Sequence, residues 1–193
     1  MDHVVVDVEI ARTVEEAGGW DRTDAMGVGV AGLYEFAGDR FRLYGPADVA
    51  ALVERLERAD RISGYNLIAF DLPVILGLPR GDVTPQLARL VAKSDDLLAR
   101  VYAALGFREK GWKVQDVAQA TLGRGKAGDG ADAPLLFQRG AFAALHTYVL
   151  DDVTLERDLA AFADRHGFLY NGCRTVRLPP WKPLTPPPAA ASA

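Results

Sequence analysis

The chain opens on a nearly unbroken apolar run, His3-Val4-Val5-Val6-Asp7-Val8-Glu9-Ile10, which predicts a strand covered on both faces, with its two acids toward the C-terminal end. The segments Met26 to Tyr34 and Arg40 to Tyr44 predict two more strands, joined as a hairpin by the Gly38-Asp39 turn. Pro46 suits a first helical turn, and Val49, Leu52, Val53 and Leu56 recur at helical spacing, so a helix is expected to run to about Ala59. Arg61 to Tyr65 reads as a short fourth strand. Leu67 to Leu76 is apolar and long enough for a helix, with Pro73 either kinking it or lying in its first turn. Beyond Asp95 the pattern is mostly helical, broken at Gly106, Gly111 and Gly123, and a last helix runs from Ala141 to about Arg165, stopped at Gly167. Strands first and helices later argue an α/β fold, a sheet with helices packed on it.

From Pro179 onward six of the 11 prolines fall within 15 residues, a composition that cannot bury a core. We therefore expect one domain over residues 1–170 and a disordered or polyproline tail over residues 171–193. The 193 residues suffice for one sizeable core. Acids outnumber Lys plus Arg by 26 to 22, a net charge of -4, which disfavours nucleic-acid binding through a general positive surface. Such binding would need a local basic patch, or metal ions that neutralise clustered carboxylates. Cys173 is the one cysteine, so neither an intrachain disulfide nor a cysteine zinc site can form, and a reducing cytoplasm is the expected compartment. The N-terminus has no basic region and no run approaches the ~18 apolar residues of a membrane span, so no membrane partner is expected.

Acids in apolar surroundings are informative, because burying an unpaired carboxylate is costly enough that it marks a partner, a metal or a raised pKa. Asp7 and Glu9 are two apart on a strand and leave the same face, where they can converge; a solvated strand end is the competing reading. Asp71 lies inside the apolar run, where it is either buried or the cap of a helix starting near Pro73, and Asn66 is either a site residue or a turn residue. On the last helix Leu145, Val149, Leu155 and Leu159 define a stripe with Asp152 near its centre, while Asp151 falls roughly 90° away. Tyr148, four residues before Asp152, shares its face, as a site phenol or as a core tyrosine. Clustered carboxylates on a strand and two helices can hold two divalent cations that clamp a phosphoryl displacement, and an oxygen-only donor set suits Mg²⁺ or Mn²⁺. Setting these four acids aside leaves acidic and basic residues equal at 22 each.

Three ordered motifs resemble those of the DEDD family of 3′-to-5′ exonucleases: Asp7-Val8-Glu9, Asn66-Leu67-Ile68-Ala69-Phe70-Asp71, and Tyr148-Val149-Leu150-Asp151-Asp152. Gly64-Tyr65-Asn66 with Phe70-Asp71-Leu72-Pro73-Val74, and Ala118-Gln119-Ala120-Thr121-Leu122-Gly123 with Gly125-Lys126 and Asp129-Gly130, are similar to the YprB-like subgroup of DnaQ-like exonucleases. The similarity spans roughly residues 3 to 170. It implies an RNase H-like fold with a central mixed five-stranded sheet flanked by helices. It implies that Asp7, Glu9, Asp71 and Asp152 hold two Mg²⁺ or Mn²⁺ ions and that Tyr148 orients the attacking water. The implied reaction is hydrolysis of 3′-terminal nucleotides, of single-stranded DNA ahead of RNA. The subgroup occurs alone or fused to helicases, which makes a helicase a candidate partner and a non-cutting nucleic-acid- or helicase-binding module the rival reading. Two departures stand out: His146 and Asp151 satisfy the spacing of the rival His-type third motif, and Ile10 stands where many relatives have threonine or serine.

Between Val101 and Lys126 five basic residues, Arg108, Lys110, Lys113, Arg124 and Lys126, outnumber Glu109 and Asp116. With Asn66, Lys113, Arg124 and Lys126 are the candidate nucleic-acid contacts, a solvated helix face being the alternative. Trp112 and Tyr65 are either base-stacking platforms or core aromatics. Gly27 to Gly32 and Gly123 to Gly128 both match GxGxxG, but neither opens a helix after a strand, so no dinucleotide site is expected.

Overall fold

The computed structural model describes residues 1–125 and 132–184. Five strands, β1 (His3–Ile10), β2 (Val28–Glu35), β3 (Arg40–Tyr44), β4 (Arg61–Gly64) and β5 (Ser94–Asp96), form a mixed sheet of order β3-β2-β1-β4-β5. The pairs β1/β2 and β2/β3 are antiparallel; β1/β4 and β4/β5 are parallel. Helices α1 (Val14–Ala17), α2 (Thr23–Met26), α3 (Val49–Arg58), α4 (Asp71–Leu76), α5 (Pro85–Ala92), α6 (Leu97–Leu105), α7 (Val114–Leu122), α8 (Ala133–Gln138) and α9 (Phe142–His166) flank it. None among the described residues is long and apolar enough to cross a membrane.

The apolar run of β1 is covered on both sides, and alternation explains how. Val4, Val6, Val8 and Ile10 enter a core with Leu52, Leu56, Leu72 and Ile75 from α3 and α4. Val5 points the other way, into a core with Val30 of β2 and Leu145, Val149 and Val153 of α9. Full burial of each such aliphatic side chain stabilises the fold by roughly 1.5–3 kcal/mol. Helix α9 lies unusually close to the sheet because Gly32, which pairs with Asp7, has no side chain: a Cβ there would sit 2.7 Å from Val153 Cγ2. The helix stops at Gly167, whose φ of 72° suits the left-handed cap.

Several boundaries depart from the sequence pattern for local reasons. The second strand starts at Val28, because Thr23–Met26 is a helical turn ended by Gly27. The helix expected from Leu67 begins only at Asp71. Asn66 adopts a left-handed φ of 65°, and the Asp96 carboxylate accepts the N–H groups of Asn66 and Ile68 at 3.1 and 3.0 Å, holding 66–70 as a turn. Pro73 is then the third helical residue, where its missing donor costs nothing.

The expected tail from residue 171 requires correction. Two short strands, β6 (Phe168–Tyr170) and β7 (Thr175–Arg177), pair antiparallel, and Val176 and Leu178 are buried. Trp181 Nε1 donates to the Ser94 carbonyl at 3.0 Å, and the Leu184 N–H donates to the Ala92 carbonyl at 2.7 Å. Three apolar side chains, Val176, Leu178 and Trp181, anchor a segment whose proline content alone argued against order. Residues 185–193, the end of the expected tail, lie outside the described residues.

Beneath the C-terminal half of α9 a charge network ties the sheet to its neighbours. Arg61 of β4 bridges Asp95 of β5 and Asp164 of α9, the latter at 2.7 and 2.8 Å, and Arg100 of α6 joins Asp95 at 2.8 Å. The Trp181 ring lies 4.9 Å from the Arg61 guanidinium carbon. Beside it His3 stacks on Phe36 and bonds Ser63 Oγ through Nε2 at 2.7 Å.

Candidate functional site

Strand β1 outruns β4. Its parallel pairing ends at Val5 with Ser63, whereas its pairing with β2 continues to Ile10. The notch beside β1 is filled by the first residue of α4: the Val8 N–H donates to Asp71 Oδ1 at 3.1 Å, and Asp71 is 3% exposed. Ligands in sheets of this kind gather at the carboxyl ends of parallel strands, which is where this notch lies. A bulge between Glu9 and Ile10 marks the same end of β1.

On the other side of the strand, Asp7 and Glu9 continue the line of Val5 toward α9. Asp152 comes down from α9 between Val149 and Val153, 1% exposed, whereas its neighbour Asp151 is exposed. Carboxylate oxygens of Asp7, Glu9 and Asp152 all lie within 4.8 Å of one another. Two unit charges at that distance repel by about 3 kcal/mol in an effective dielectric near 20. A divalent cation reverses the sign of that interaction, and the oxygen-only donors match a hard cation. The cluster can hold a metal ion.

Asp7 and Glu9 of this cluster face a cavity of about 890 Å³. Asp7, Glu9, Asp71, Asn66, Lys113 and Glu156 line it. Burial pushes the Asp71 carboxyl well above the usual carboxylate range, the nearby Asp7 adds to the rise, and the Val8 N–H opposes it. Burial also raises Asp96, against the N–H bonds it accepts from Ile68, Ala99 and Asn66.

The other expected site residues fall at varied distances from this centre. Tyr148 is half-buried one turn before Asp152 and packs on the core of Val5, Val30 and Val149. His146 is half-buried and faces Phe142, their rings 6.4 Å apart. Asn66 lines the cavity on its left-handed turn, and Lys113 does so from the residue before α7. Arg124 is engaged elsewhere, in an ion pair with Asp158 of α9. Lys126 lies outside the described residues. Trp112 and Tyr65 are core aromatics, 3% and 8% exposed, with Tyr65 Oη donating to the Trp112 carbonyl at 2.7 Å.

Some residues of the site escaped the sequence pattern. Glu156, 3% exposed, follows Asp152 by one turn of α9; the stripe that singled out Asp152 also points to it. Trp20, 61% exposed on the loop after α1, lines the cavity with its ring 6.1 Å from Phe70. Only the tertiary fold brings Trp20 there. Comparison with protein-family models finds no match, and comparison with the curated proteins finds none either.

Proposed function

We propose that this chain is a metal-dependent 3′-to-5′ exonuclease that hydrolyses 3′-terminal nucleotides of single-stranded DNA. The observation that carries the reading is the convergence of Asp7, Glu9 and Asp152 within 4.8 Å, at the strand end where Asp71 also meets β1. The motif resemblance and a strand order compatible with an RNase H-like fold support it.

In this reading Asp7, Glu9, Asp152 and Asp71 hold two Mg²⁺ or Mn²⁺ ions. Bound there, the cations would lower the pKa of a water and neutralise charge on the attacking and leaving oxygens. The chain's own groups do the rest. Asp71 is fixed by the Val8 N–H, so its carboxylate is presented without a search for position. Tyr148, on the Asp152 face of α9, orients the attacking water through its phenol. Asn66 and Lys113, at the cavity wall, contact the sugar and phosphate of the terminal nucleotide.

The test is incubation of the purified chain with 5′-labelled single-stranded DNA and RNA of equal sequence, with Mg²⁺ or Mn²⁺, beside an EDTA control and Asp152→Asn. We expect a ladder shortening from the 3′ end, absent with EDTA and reduced roughly 10³-fold or more in the variant, several kcal/mol of transition-state stabilisation. Faster shortening of RNA would reassign the substrate. Intact strands under both metals would overturn the nuclease reading.

A further inference from the structure

Beyond Asn66, Tyr65 and Lys113 the wall of the acidic cavity continues into a second cleft of about 950 Å³. Its charge is of the opposite sign. Arg80, from the loop after α4, and Arg108, Lys110 and Lys113, from the connection between α6 and α7, all line it and all are exposed. None of the four side chains forms an ion pair among the described residues, whereas most other arginines do. The two acids of this cleft are committed elsewhere: Asp96 accepts backbone N–H groups, and Glu109 accepts Trp112 Nε1 at 3.1 Å and pairs with Arg174. Arg80 and Arg108 also border a third cleft of about 760 Å³, which Asp21 and Asp82 line as well, so the three clefts share walls in series.

The series has a direction. It starts among carboxylates that need cations before a phosphate can approach, passes Lys113, and leaves along Lys110, Arg108 and Arg80. A chain with net charge -4 that gathers four exposed cations from two separate segments into one cleft has a local answer to polyanion binding. We infer that Arg80, Arg108, Lys110 and Lys113 form a track for the sugar-phosphate backbone of a single strand, lying 5′ of the bond presented to Asp7, Glu9 and Asp152. The inference rests on the exonuclease reading for its direction and names the substrate class of that same site. The track excludes Arg124, whose guanidinium is paired on α9, and adds Arg80, which lies far from the basic segment in sequence.

The test is fluorescence anisotropy of 5′-fluorescein-labelled dT15 and rU15 with the full chain, over a range of KCl concentrations without divalent metal. The variants are Arg80→Ala/Arg108→Ala and, as a control, Arg139→Ala/Arg165→Ala, two exposed arginines at the ends of α8 and α9. Loss of two phosphate contacts on a single strand should reduce the slope of log K against log salt by about 1.4 and weaken binding tenfold or more at low salt, with the control unchanged. An unchanged slope in the track variant, an equal loss in the control, or no binding by the wild type overturns the track. Turnover of a dinucleotide in Mg²⁺ separates the two readings, because Arg80 and Arg108 line the second and third clefts and not the acidic cavity. Cleavage of the dinucleotide with dT15 binding indifferent to Arg80 and Arg108 leaves the nuclease and removes the track. Binding that depends on both arginines, with no cleavage of either substrate, keeps the track and removes the nuclease. Retained dinucleotide turnover in the track variant, with slowed shortening of dT15, is the outcome expected if both hold.

Discussion

Helix α9 presses two groups of charged side chains against the same sheet, and they are built on opposite plans. Near its middle, Asp152 meets Asp7 and Glu9, like charges brought within 4.8 Å. Three turns later, Asp164 meets Arg61, which also holds Asp95, itself shared with Arg100: here the signs alternate. A buried ion pair adds little net stability but is expensive to break, because the surviving charge is left in a poor solvent. Carboxylates gathered this closely repel one another and gain by taking up a cation. The alternating network fixes α9 on β4 and β5; the carboxylate cluster keeps binding capacity at the end of β1.

If this contrast is right, mutations in the two groups have opposite effects on stability. The largest effect is expected from Arg61→Met. It leaves the fully buried Asp95, and the exposed Asp164, short of a guanidinium, and urea unfolding should register a loss of about 3 kcal/mol or more. A loss below 1 kcal/mol would mean that the network is not what holds α9 down.

Next comes the pH dependence of the alternating region. Burial, then the positive Arg61, lowers the His3 pKa from 6.5 to about 4. Between those values the unfolded chain holds a proton that the folded chain has lost, so stability is present above pH 6.5 and is lost as the pH falls toward 4. That contribution is of the order of 2 kcal/mol after allowance for solvent screening. His3→Gln keeps a side chain able to bond Ser63 and should flatten the decline of stability across this window. A decline as steep as in the wild type would assign the acid sensitivity to other groups.

The smallest effect has the reverse sign. The Asp71 carboxyl titrates well above its usual range, so between the unfolded value of 3.8 and its raised folded value the native chain holds the extra proton. Stability therefore falls as the pH rises through that interval. Asp71→Asn removes the buried charge while its side-chain oxygen still accepts the Val8 N–H, and in EDTA at pH 8 it should gain on the order of 1 kcal/mol, a rise of a few degrees in Tm. A lower Tm would show that the Asp71 charge belongs to the structural plan instead.

How much of this was legible in the residues follows from where each signal lives. The two-sided burial of β1, the hairpin and the length of α9 come from short-range periodicity, and the mixed five-stranded sheet agrees with the expected architecture. The distinction between Asp152 and Asp151 is also periodic, and the same arithmetic applied one turn further would have found Glu156. Asp96 was hidden because its partners, Asn66 and Ile68, are brought to it by the pairing of β4 with β5. Trp20 and Arg80 reach the clefts from loops, whose placement depends on the whole fold and has no period. The C-terminal segment misled for a different reason: composition averages over residues, and Trp181 alone makes both a hydrogen bond and a contact with Arg61.

That segment also settles how the sheet ends. A short strand such as β5 offers its outer backbone groups to any passing extended chain, and sheets left open on that side grow by recruiting strangers. Here Trp181 and Leu184 occupy the Ser94 and Ala92 carbonyls, while at the far edge Arg40 and Arg42 of β3 set charge along the rim. The least core-like stretch of sequence thus covers part of this edge, and a chain cut after Leu178 would leave the Ser94 and Ala92 carbonyls without these two donors.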